Sequence, residues 1–186
     1  MNGYVIALVI HIVGALGFFV ALGLEWSSLY QARQAGTVEQ LTTWLRVARC
    51  SYRVGMPAMI VLLISGIYMM RTVWGHVAWI VLSFGVLVFI VVLVLLLIRP
   101  RLAAIERALT AAAGNLSPSI MRLVQHPQLW ITLQLRFALA LGIVVLMTVK
   151  PDVSGALITL GVAGLVGLVA ALPMIGRRGT QQTSAT

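Results

Sequence analysis

Apolar runs close to 20 residues long recur five times along this chain, at 3–24, 54–73, 77–98, 129–149 and 153–175. Each is near the ~20 residues a helix needs to cross about 30 Å of hydrocarbon. The pattern predicts an all-α polytopic membrane protein: five transmembrane helices forming one bundle over residues 1–176, then a polar, disordered tail at 177–186. No Lys or Arg precedes the first run, which is also too long for the apolar region of a signal peptide, so it is expected to be an uncleaved span.

Two of the connecting stretches are themselves periodic. In GTVEQLTTWLRVAR, Gly36 stops the extension of span one, and Thr37 with Gln40 has capping-box spacing. The helix so opened carries Leu41, Trp44, Leu45 and Ala48 on one face beside Arg46 and Arg49, the pattern of a helix lying in the headgroup plane. In RLAAIERALTAAAGN, Leu102, Ile105 and Leu109 form a stripe that Gly114 and Asn115 close, and Ser117 with Pro118 starts a further short turn. Span three has almost no polar atoms and is expected to be the most lipid-exposed helix.

Composition sharpens this picture. Hydrophobic residues make up 61% of the chain and charged ones 9%, against about a quarter charged in soluble domains. The net charge of +9 does not point to nucleic acid, because the arginines flank the apolar runs and form no basic domain. Ten of the 13 basic residues fall after span one (Arg33, Arg46, Arg49, Arg53), after span three (Arg99, Arg101, Arg107, Arg122) or at the end (Arg177, Arg178). Arg71 and Lys150 lie on the other side and Arg136 inside span four. The positive-inside rule then puts the N-terminus outside and the C-terminus in the cytoplasm. Tyr4, Trp74 and Trp79 mark the outer interface, and Trp26, Tyr30, Tyr52 and Trp130 the inner one. The single cysteine, Cys50, excludes an internal disulfide.

An ionisable side chain at membrane depth costs a few kcal/mol on insertion scales, so it should face protein or a wet cavity. His11 sits among apolar neighbours in LVIHIVGALGFFV, on a face with Ala7, Gly14, Phe18, Ala21 and Glu25. Arg136 shares a face of span four with Thr132, Ala140, Ile143, Met147 and Lys150, and Glu25 is its candidate partner. Met69 lies near the depth of His11 on span two. Two roles stay open for His11. One is an interhelical hydrogen bond, to Ser65 or Thr132; the other is ligation of haem b, or of copper with Met69, Met70 or Met147 supplying a soft thioether. Arg136 could equally clamp an anionic group such as a haem propionate. The four carboxylates, Glu25, Glu39, Glu106 and Asp152, include no pair at one depth, which argues against acid–base catalysis and proton-coupled transport. On span five, Ala163, Gly167 and Ala171, beside Gly161 and Gly164, make a close-approach surface for another helix or another copy of the protein.

The segments HIVGALGFF, RVGMPAMIVLLISGIYM and LRFALALGIVVLMTVKP, with LMTVKP (Leu146 to Pro151) the most characteristic, resemble a family of bacterial inner-membrane proteins distantly similar to the copper-resistance protein D group. More loosely they resemble the membrane protoporphyrinogen oxidase family, whose first helix carries a haem-associated histidine; His11 takes that position. That family also uses an internal lysine, whereas Lys150 here sits at the outer interface, so the oxidase activity is not carried over. The resemblance implies a multi-pass protein of the bacterial inner (plasma) membrane. Taken with the inward polar face read from the residues, made by His11, Arg136, Met69 and Met147, the expectation is that this face holds haem b or copper for electron transfer or metal handling. The competing reading is a non-catalytic accessory or assembly subunit of a larger membrane complex, in which His11 and Arg136 lock helices together.

Overall fold

The structure, a computed structural model, describes residues 3–112 and 116–176. Among them all regular structure is helical. Helix α1 spans Gly3–Arg33 and α2 Val38–Met69, the latter running on through a π-helical turn at Met70–Trp74. Helix α3 spans Ala78–Leu93 and joins α4, Arg99–Ala111, through a second π turn at Val94–Ile98. The short α5, Pro118–Val124, precedes α6, Pro127–Val149, and α7, Val153–Gly176. Five stretches are long and apolar enough to cross a membrane: Gly3–Arg33, Val38–Trp74, Ala78–Ala111, Pro118–Val149 and Val153–Met174. The expected all-α chain with five spans is therefore what the structure has. The expected tail and the Gly114–Asn115 stop lie outside the described residues.

Several helices exceed the bilayer. At 1.5 Å per residue the 31 residues of α1 reach about 46 Å, well beyond ~30 Å of hydrocarbon. The surplus is at the arginine-rich end, where α1, α2, α4, α5 and the start of α6 enclose a core of their own. Leu29, Leu41, Ile105, Val124 and Leu129 are fully buried there around Trp130, whose indole N–H donates to Val124 O at 3.3 Å. Trp130 is thus a core residue and not part of an interfacial belt.

This cap corrects one expectation. Leu41, Leu45 and Ala48 face protein, not headgroups, because α2 runs unbroken from Val38 into span two. The Thr37 hydroxyl does cap that helix, accepting from Gln40 N, and Gln40 Oε1 accepts from Gly36 N in return. Pro57 lies inside α2 without ending it, as helices that span membranes allow.

The most extensive helix pairs are α1 with α2 and α6 with α7, while α3 packs chiefly on α6. Span three is not the most exposed of the five: 17% of its apolar window is buried, as in span five, against 11% in span two. The small face of α7 is used within the chain. A Cβ on Gly167 would meet Leu135 Cα at 2.9 Å, and Ala163 Cβ lies 3.0 Å from the Cβ position of Gly142. Gly161 and Gly164 look onto open space. At the other end of the bundle Trp74 packs edge-on against Trp79, donates to Tyr4 Oη at 3.4 Å and carries Lys150 Nζ 4.1 Å above its ring. Lys150 ends α6 in the left-handed conformation, φ 52°, and its amide donates to Leu146 O. Asp152 then opens α7, accepting from Gly155 N and Ser154 Oγ at 2.8 Å each. Those two bonds hold its carboxyl below the ordinary value of 3.8.

Candidate functional site

Glu25 lies near the point where α1 leaves the apolar region, and Arg136 faces it from α6. Arg136 Nη1 donates to Glu25 Oε1 at 3.0 Å, with both side chains almost fully buried. The Tyr52 hydroxyl, from α2, donates to the same oxygen at 2.8 Å. One carboxylate therefore joins three helices. A buried pair of this kind is tolerated only where its geometry is good and its remaining donors find acceptors. One donor has none: Arg136 Nε is buried without a hydrogen-bond partner.

His11 lies about 21 Å from Glu25 along α1, fourteen positions at 1.5 Å each. Its Nδ1 is 2.9 Å from Ser65 Oγ, and its ring lies against Gly66, whose Cβ position is 3.5 Å from His11 Cε1. Direction follows from proton counting. The Ser65 hydroxyl has one proton and two carbonyls, Val61 O and Leu62 O, within reach; where it donates to one of them, it accepts from His11 Nδ1–H. The imidazole lone pair then sits on Nε2. Thr132, the other partner weighed for His11, bonds Gln128 O on its own helix.

Of the four residues singled out in the sequence, His11 and Arg136 occupy separate sites. A porphyrin ligated by His11 cannot reach Arg136 with a propionate across ~21 Å, so these residues do not fit one haem. Met69 is one turn beyond Ser65 on α2, and Met147 is eleven positions beyond Arg136 on α6, so both lie toward the His11 end. Among the described residues no group of three or more His, Cys, Asp or Glu could hold a metal ion. His76 is exposed, and His126 caps α6 by accepting from Gln128 N.

Beside the ion pair lies a cavity of about 580 Å³, between α1, α2, the end of α3, the second π turn and α4, with Arg136 of α6 in its wall. Its deep part is lined by Phe18, Leu22, Met59 and Ile90, its flank by Glu25, Tyr52 and Arg136, and its mouth by Arg49, Arg53, Arg99 and Glu106. Arg49 Nε pairs with Glu106 Oε1 at 2.8 Å across the mouth, from α2 to α4.

Residues 5–151, the whole length from α1 to α6, match the family described as predicted integral membrane protein, DUF2269. The chain belongs to this family. No curated protein and no solved structure matches the chain. In this DUF2269 member, then, the matched region holds both polar sites and the cavity, while α7 lies beyond it. The match establishes a multi-pass integral membrane protein and brings no link to the copper-resistance protein D group or to protoporphyrinogen oxidase.

Sequence reasoning did not foresee Tyr52 as a partner of Glu25, nor the grouping of Arg49, Arg53 and Arg99 around one opening. A tyrosine near an interface is ordinary, and arginines on two different loops carry no mark of their common destination. The signal that would have found them is the α1–α2 register, which the His11–Ser65 contact fixes.

Proposed function

We propose that this DUF2269 protein is a non-catalytic membrane component, an accessory or assembly subunit whose intramembrane polar groups hold helices in register. The observation that carries this reading is the Glu25 carboxylate, bonded at once to Arg136 of α6 and Tyr52 of α2. A carboxylate so engaged is poorly placed to shuttle protons or to activate a substrate. The surface left for another copy or a larger complex is the open side of α7 at Gly161 and Gly164.

A second reading rests on the His11 tautomer. Metal-bound histidine usually donates its other ring N–H to a fixed acceptor, and Ser65 provides that acceptor here. With Met69 and Met147 toward the same end, His11 Nε2 suits a single copper(I) ion; it could also serve as one axial ligand of haem b, without Arg136. The resemblance to the copper-resistance protein D group points the same way, toward metal handling or electron transfer in a bacterial inner membrane.

An absorption spectrum and metal analysis of gently purified protein separate the two. The accessory reading expects colourless, metal-free protein, with His11→Ala lowering stability by about 1 kcal/mol, the worth of one interhelical hydrogen bond. A Soret band or one equivalent of copper, lost in His11→Ala, would overturn it in favour of the cofactor.

A further inference from the structure

The cavity beside Glu25 and Arg136 has features that the helix contacts do not use. Its walls follow the continuous helical run from Ile90 to Glu106, sixteen positions or about 24 Å, so it extends from headgroup level deep into the hydrocarbon. The lining changes along that length from arginine to apolar side chains. Met56 and Leu95 in its walls are 49% and 48% exposed, so the slot is not closed off by protein along its apolar length.

Charge narrows the occupant further. Arg49, Arg53 and Arg99 against Glu106 leave the mouth at +2, while Glu25 and Arg136 cancel. Arg49 is taken by Glu106, and neither Arg53 nor Arg99 has an ion-pair partner among the described residues. In the wall below, Arg136 is only 4% exposed and its Nε lacks an acceptor. A buried donor without a partner is costly, and a ligand that brings an acceptor to it removes that cost.

We propose that this cavity binds an anionic glycerophospholipid from the leaflet at the arginine-rich end. Arg53 and Arg99 hold the phosphate, an ester carbonyl offers the acceptor that Arg136 Nε lacks, and one acyl chain lies along Met59, Phe18 and Ile90. A small soluble anion would leave the apolar depth empty, and a cation would meet net positive charge. The site is independent of whatever His11 holds.

The test is native mass spectrometry of the detergent-purified protein with equal phosphatidylglycerol and phosphatidylcholine. Phosphatidylglycerol adducts are expected to be favoured by about thirtyfold, in line with two guanidiniums at a membrane surface. The double variant Arg53→Gln/Arg99→Gln should lose that preference. Arg46→Gln/Arg107→Gln, which removes two exposed arginines outside the cavity, should keep it. Matching thermal midpoints for all three proteins show that folding is not the cause. Equal binding of the two lipids by the unaltered protein, or a preference that survives in Arg53→Gln/Arg99→Gln, overturns the proposal. So does complete displacement of the lipid by millimolar inorganic phosphate, which would mark the mouth as a site for a soluble anion.

Discussion

Removing one partner from the Glu25–Arg136 pair leaves the other charge almost fully buried and unpaired. Glu25→Gln and Arg136→Met are each expected to cost about 3–5 kcal/mol, as broken buried pairs do, read as a lower midpoint of thermal unfolding in detergent. The double variant should recover part of the loss, because no uncompensated charge remains. An unchanged midpoint in either single variant would mean that the charge finds solvent. Tyr52→Phe removes one hydrogen bond to a charged group and should cost less, about 1.5–3 kcal/mol. The pairing of Arg136 with Glu25 was legible from the sequence, since Glu25 is the one carboxylate on an inward face near the right depth. The third member was not, because a tyrosine hydroxyl declares no partner until two helices are set against each other.

At the scale of elements, the α1–α2 hairpin is a single register. Fourteen positions along α1, from His11 to Glu25, correspond to thirteen back along α2, from Ser65 to Tyr52. The two polar contacts are consequences of one antiparallel alignment. Close approach holds it: at Gly14 a Cβ would lie 3.0 Å from Val61 Cγ1, and at Gly55 it would lie 3.1 Å from Ala21 Cβ. The α6–α7 pair uses the same device, and two glycines of α7 separate packing from mere composition. Gly167→Ala drives a methyl to 2.9 Å from the Leu135 backbone and should destabilise by about 1–3 kcal/mol, an overpacking cost. Gly164→Ala meets nothing within 4 Å and should be neutral or slightly stabilising through helix propensity. Thermal unfolding of the two variants checks the opposite signs; equal effects would mean that α7 does not pack on α6 as described. The periodicity of α7 showed that it had a small-residue face but not which neighbour that face meets.

For the whole molecule, the arginine bias predicts that the end holding the cap faces the cytoplasm. Cys50, the only cysteine in the chain, is exposed at that end and reports on it directly. A membrane-impermeant maleimide should label Cys50 only after the membrane is permeabilised, and labelling of intact cells would reverse the assigned orientation. The sequence by itself determined the membrane and the five crossings. Apolar run length and charge placement answer to a slab of hydrocarbon, which is a one-dimensional constraint. Only the tertiary structure decided that the stripe of Leu41, Leu45 and Ala48 turns to protein instead of lipid, since an apolar face is equally satisfied by either. It also decided that His11 and Arg136 serve two sites, and that arginines from separate segments ring one cavity. Those outcomes depend on how helices pair and rotate about one another, and that is set by contacts between residues far apart in the chain.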